Sequence, residues 1–292
     1  MQPGSGARSP SPVGAPDPLG LVSLPPLMRR TRGLPDLRVG LIDGVVLADH
    51  PGFSEARVEV QPEGQGGGDA SDHATAVAGV LVADRESGAP GICPGATLLV
   101  HPIYDAAGPG RGTAAPDELA AAIVGLAESG AAVINMSLVL DQRRGAARVV
   151  REALDYASSR GVVLVAAAGN RASVGGSTIT GHRSVIPVAA YDLAGNLAPY
   201  SNLGHSIGRR GVGAVAEGLV SLGADGGLRP IGGTSAAAAV VAGAVVLLWS
   251  EFPRAAPAEV VLAVNRSAPC RPSVVPPLLD AWAAHEVLRT VR

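Results

Sequence analysis

The chain has 292 residues, 47% of them hydrophobic and 3% aromatic, with 23 basic side chains against 25 acidic ones for a net charge of −2. That length and apolar content suit one large domain with its own core, and the near-neutral balance excludes the basic footprint of a nucleic-acid binder or a cationic membrane-surface face. No lysine occurs, so every basic residue is Arg and a Ser–Lys dyad is excluded; two cysteines, Cys93 and Cys270, are too few for a disulfide framework.

Residues 1–36 are rich in Pro, Gly and Ser and lack helical periodicity. They read as a disordered or loosely docked arm ahead of a single domain over 37–292. Proline interrupts the first 28 residues every few positions, and Arg29-Arg30 precedes no apolar run, so the pattern of a secretory signal is not met. The apolar stretch 236–249 falls short of the ~20 residues of a membrane span and reads as a buried helix. A cytoplasmic protein with no membrane partner is expected, and the arm is expected to be dispensable for folding, since it is too short for a folded pro-domain.

The body alternates short apolar runs with helical segments. Strands are expected over 38–43, 97–102, 132–137, 162–167 and 184–190, and helices over 74–83, 116–129, 146–160 and the run after Ser235. Between them lie a loop at 192–195 and a strand-rich stretch over 200–221. Apolar runs separated by helices of this length predict an α/β fold with a parallel sheet covered on both faces. Asp43, Ser137 and Asn170 each fall at the carboxyl end of an expected strand, where sites of open α/β sheets collect.

Four fragments carry the chemistry, in order: Val39-Gly40-Leu41-Ile42-Asp43-Gly44, Asp72-His73-Ala74-Thr75-Ala76, Ala166-Ala167-Ala168-Gly169-Asn170 and Gly232-Gly233-Thr234-Ser235-Ala236. Each alone has an ordinary reading: a turn Asp, a helix-start His, a turn Asn and a capped Ala-rich helix. Together they supply an acyl-transfer site. Ser235 is a nucleophile that needs a base. His73 titrates near neutrality and can supply it. Asp43 fixes the imidazole tautomer and stabilises the imidazolium. Asn170 offers an amide donor to the developing oxyanion, an effect worth about 3–4 kcal/mol at such sites. Asp72 is expected to cap the His73 helix. The acids Asp49, Asp69 and Asp72 lack calcium-loop spacing, so neither metal nor cofactor is implied.

At these fragments the chain resembles the subtilisin-like serine proteases, whose chain order is Asp, His, Ser. The resemblance runs over roughly 37–290 and implies the subtilisin-like three-layer fold, a central parallel sheet flanked by helices. It implies catalytic Asp43, His73 and Ser235, oxyanion donor Asn170, and substrate contacts at Ser137, Leu138, Val139 and Gly169. Val139 stands where the family usually has Gly, and Ala74, Ala76, Ala236 and Ala239 are small apolar replacements around the retained groups. Asp43-Gly44, His50-Pro51-Gly52-Phe53 and Ile186 to Asp192 bring it nearest the cyanobactin-type precursor-peptide maturation proteases. The expected partner is therefore a peptide or precursor-peptide substrate, with no nucleic acid. A general intracellular peptidase and a catalytically silent peptide-binding module are the alternatives. Only 29 residues separate Asp43 from His73, which leaves no room for the inserted cap of cyclising members, so hydrolysis is expected.

Overall fold

The structure is a computed structural model of the chain and describes residues 17–61, 71–103, 113–140, 146–268 and 273–291. A 3-10 turn at Pro18–Val22 leads to α1 (Pro25–Arg30), β1 (Arg38–Asp43), β2 (Arg57–Val60), α2 (Asp72–Val82), β3 (Thr97–Pro102) and β4 (Thr113–Ala114). Next come α3 (Pro116–Glu128), β5 (Ala131–Met136), β6 (Val139–Leu140), α4 (Ala146–Ser159), β7 (Val163–Ala167) and β8 (Val185–Tyr191). The chain ends with α5 (His205–Arg210), β9 (Val212–Val215), β10 (Leu219–Leu222), β11 (Leu228–Ile231), α6 (Gly233–Glu251), α7 (Pro257–Arg266) and α8 (Ala281–Val291).

Seven strands form one parallel sheet in the order β2-β3-β1-β5-β7-β8-β9. Alternation along each strand divides the apolar side chains between two cores. Leu41, Leu98, Val133 and Val165 face the layer of α2 and α6, whereas Ile42, Leu99, Ile134 and Leu164 face α3 and α4. This is the expected three-layer fold. Strand order reverses beside β1, with β3 on one side and β5 on the other. A crevice at the carboxyl end of β1 is therefore where this topology places a site.

Helix α6 runs through the middle of its layer. It is 19 residues long, and every residue from Thr234 to Trp249 is buried. A helix apolar on every side needs cover on every side; here the sheet strands β5, β7, β8 and β9 and helix α2 provide it. The expectation of a buried helix after Ser235 is met. Ala74, Ala236 and Ala239, three of the small replacements noted around the candidate catalytic groups, are all fully buried.

Two expectations need correction. Within the described residues the N-terminal segment is not a loose arm. Leu19, Val22, Leu24 and Leu27 are buried in the larger core, and the segment packs on β9, α6 and α8. Its prolines start structure rather than break it: Pro18 and Pro25 each occupy a first helical turn, where the missing N–H has no intrahelical partner to lose. Arg85 clasps the segment to the body. Its guanidinium donates to the carbonyls of Met28 at 2.6 Å, Thr31 at 3.0 Å and Ile92 at 3.0 Å, and its Nε to Gly91 at 3.2 Å. Burial, then the nearby Arg32, lower the Arg85 pKa. Truncation to a start near Pro35 is therefore expected to lower the thermal transition markedly. Leu27→Ala alone should cost about 2–5 kcal/mol in denaturant unfolding, the usual range for a buried Leu.

The second correction lies in residues 200–221, expected to be strand-rich. The six-residue α5 interrupts them before β9 and β10. A helix so short, with Gly208 inside it, leaves no periodicity to read. Cys93 is buried and free, and burial pushes its thiol up to about 12, which removes it as a nucleophile. Cys270 lies outside the described residues.

Candidate active site

Asp43 ends β1 and is fully buried. Its Oδ1 accepts from the Gly44 N–H at 2.8 Å and lies 2.9 Å from Nδ1 of His73. His73 is the second residue of α2, and its side chain is 42% exposed. One ring nitrogen is thus held by a buried carboxylate while the ring still reaches solvent. With Nδ1–H directed at Asp43, the proton-accepting nitrogen is Nε2. The charge of Asp43 raises the His73 pKa above its ordinary 6.5; burial opposes this, and the hydrogen bond to Asp43 adds to it.

The cap of α2 is Ser71, not Asp72. Ser71 has extended backbone, and its Oγ accepts from the Ala74 N–H at 3.3 Å. Asp72 is already helical, so its carboxylate turns outward to the β10–β11 hairpin. There it accepts from the Ala224 N–H at 2.9 Å and pairs with Arg229. The helix that carries His73 is thereby tied to the hairpin that leads into Ser235.

Ser235 lies in the first turn of α6 and is 7% exposed. Gly233, just ahead of it, has φ +75°, a conformation that favours glycine. The next residue, Thr234, locks the Asn170 loop in place. Thr234 donates from its N–H at 2.9 Å and its Oγ1 at 3.0 Å to Oδ1 of Asn170, and its Oγ1 accepts from the Gly169 N–H at 3.0 Å. With the amide oxygen held twice, the Nδ2 end lies over Gly233, 2.9 Å from where a Cβ there would stand. The two donors on Nδ2 thus lie at the turn that leads into Ser235, near the positive end of a long helix, an arrangement of the kind a developing oxyanion needs.

Sequence reasoning named Asn170 but missed what holds it. Asn202 accepts from Arg171 N–H at 2.9 Å and Ser173 N–H at 3.1 Å, donates from Nδ2 to Ala168 O at 3.1 Å, and gives its own N–H to Gly169 O at 2.8 Å. Gly169 has φ +103°, and a Cβ there would stand 2.4 Å from Asn202 Nδ2. The Ala168–Ser173 turn is therefore built around one distant side chain.

Ser137 follows β5, is buried, and its Oγ accepts from Asn135 Nδ2 at 3.0 Å. Leu138 is half-buried beside it. Val139 and Leu140 form β6, which pairs in parallel with Thr113–Ala114 of β4. The backbone at Val139 is thus already in a small ladder on one side. Residues 62–70, part of the stretch between Asp43 and His73 where no cap was expected, lie outside the described residues, as do residues 104–112.

Comparison with known proteins gives the family. The subtilase family profile matches residues 34–283. The chain belongs to the subtilase family. This subtilase is 33% identical over 241 residues to fervidolysin of Fervidobacterium pennivorans, covering 75% of this chain and 34% of that protein. It is 30% identical over 231 residues to subtilisin DY of Bacillus licheniformis, covering 77% and 81%. It thus spans about a third of fervidolysin and four-fifths of subtilisin DY. Among solved structures it superposes on the prenylagaramide maturation protease PagA with a TM-score of 0.80 at 26% identity, over 91% of this chain and 98% of that one.

Proposed function

We propose that this subtilase hydrolyses peptide bonds through an acyl-enzyme at Ser235. The observation that carries the proposal is the 2.9 Å contact between His73 Nδ1 and the buried Asp43 carboxylate, on a ring that remains open on its other side. In this reading His73 takes the Ser235 hydroxyl proton as Oγ attacks the scissile carbonyl, then gives it to the departing amine. Asp43 holds the tautomer and meets the imidazolium charge. Asn170 Nδ2 donates to the tetrahedral oxyanion, and the acyl-enzyme is resolved by water that His73 deprotonates. Both acylation and deacylation use one base, so a single pair of residues serves two proton transfers.

The preferred substrate in this reading is a ribosomally made precursor peptide from which a leader is cut. Two features support it: the likeness to PagA spans 98% of that maturation protease, and the Ser137–Leu138 edge suits an extended segment added as a strand. The expected products are linear peptide acids, because ring closure needs a substrate amine held near the acyl group while water is excluded. Two measurements test this. A fluorophosphonate should form one adduct, at Ser235. Digestion of a candidate precursor peptide in ¹⁸O-water should give product acids carrying the label. Unlabelled products of ring mass would replace hydrolysis by transpeptidation, and absence of both adduct and cleavage would overturn the reading altogether.

A further inference from the structure

On the far side of Asn170 from the Ser137 edge lies a shallow, open cleft of about 620 Å³ to which the expected chemistry assigns no substrate group. Its walls include Asn170, Tyr200, Glu217, Ile231 and the Gly232–Gly233 pair that leads into Ser235. The sheet order fixes which part of a substrate it would meet. Ser137 follows β5, Asn170 follows β7, and Ala216–Glu217 follow β9, in that order across the sheet. A peptide whose acyl portion lies along Ser137–Leu138 and whose scissile carbonyl sits between Asn170 and Ser235 must continue toward β9. Its amine portion therefore enters this cleft.

Glu217 is exposed and is the one charged side chain among the described residues that line the cleft. The rest of the lining is apolar, glycine or uncharged polar. Tyr200 shares this lining with Glu217 and with Gly233 of the nucleophile's turn; burial first, and the Glu217 charge second, raise the pKa of its phenol. Gly218, Gly232 and Gly233 line the cleft without side chains, which leaves width for a long occupant. An aromatic wall beside a carboxylate favours a cation over a neutral or acidic group.

We propose that Glu217 selects a cationic side chain, Arg or Lys, within the first two residues on the amine side of the cut. The inference rests on the hydrolytic reading above and narrows its substrate class to peptides with a basic residue just after the cleavage point. A basic group there would be held while the acyl bond forms and released with the leaving amine. The contact therefore acts on acylation and leaves the identity of the acyl-side residues to other parts of the site.

The test is digestion of a mixed peptide library by wild type, Glu217→Gln and Glu217→Arg, with cut sites read by mass spectrometry and kcat/KM measured on matched peptides bearing Arg, Gln or Glu after the cut. Wild type should favour Arg over Gln by about fivefold at low ionic strength, the upper range for a solvent-accessible pair, and the preference should shrink in 0.5 M salt as screening takes hold (a Debye length of roughly 4 Å). Glu217→Gln should bring the Arg-to-Gln ratio to about one, and Glu217→Arg should turn the preference toward Glu. The order of preference on the acyl side should be the same in all three proteins. Cleavage with an Arg-to-Gln ratio that is near one in wild type, or that Glu217→Gln does not reduce, overturns this inference and leaves the hydrolytic reading standing. Failure of wild type to cut any peptide, with no fluorophosphonate adduct at Ser235, overturns both.

Discussion

Ser235→Ala is expected to abolish peptide cleavage, with a loss of roughly 10⁶-fold in kcat, the size found when the nucleophile of a subtilisin triad is removed. The substitution deletes one oxygen from a position that is 7% exposed and flanked by the buried Ala236 and Ala237. No cavity larger than an oxygen results, so the thermal transition should stay where it is while the rate falls. The Thr234–Asn170 bonds remain, and with them the residual turnover that transition-state binding alone can give. Adding His73→Ala to Ser235→Ala should cost little more, because the two groups act as one unit. A Ser235→Ala protein that still cleaves at the wild-type rate would remove Ser235 from the reaction.

Asp43→Asn is expected to lower kcat by about 10⁴-fold at neutral pH, because an amide at that position stabilises the wrong imidazole tautomer. It should also move the pH profile. In the wild type the His73 pKa lies above 6.5 because of the Asp43 charge first and its hydrogen bond second, with burial pulling the other way. The acid limb of kcat/KM should therefore fall above pH 6.5 in the wild type and drop when the charge is removed. Stability runs in the opposite direction. A histidine whose pKa is raised on folding stabilises the folded state below its unfolded pKa, and that contribution is lost as pH rises through the raised value. The Asp43–His73 pair thus adds to stability on the acid side of its titration and to catalysis on the alkaline side. The difference in thermal transition between wild type and Asp43→Asn should be larger at pH 6 than at pH 8.

The sheet was legible, and the candidate site residues could be placed on it, because both are written in local runs. Residues 38–43, 97–102 and 163–167 are largely apolar over the length of a strand; Asp43 ends the first of them, Ser137 follows β5 directly, and Asn170 comes three residues after β7. What was not legible depends on distance or on context. Pro18 and Pro25 read as breakers when the partners that bury Leu19 and Leu27 lie far along the chain, in β9, α6 and α8. Asp72 reads as well as Ser71 for a cap, and only the backbone angle at Ser71 decides between them. Asn202 holds a turn some thirty residues before it in sequence, with contacts to Ala168, Arg171 and Ser173. No local pattern announces a side chain used in that way. Glu217 likewise gains a role only once the β9 end is brought beside Gly232.

Ser235 is mounted on the part of the molecule least able to give way. From Thr234 to Leu248 every residue of α6 is buried, and the helix is clad by four strands and by the histidine-bearing helix α2. Elements of this kind open only when the whole domain opens. The nucleophile therefore has no half-open state in which it drifts from its partners while the rest of the fold persists. Heat or denaturant should extinguish activity and melt the core as a single event, and an inactivation curve for this subtilase can be read as its unfolding curve.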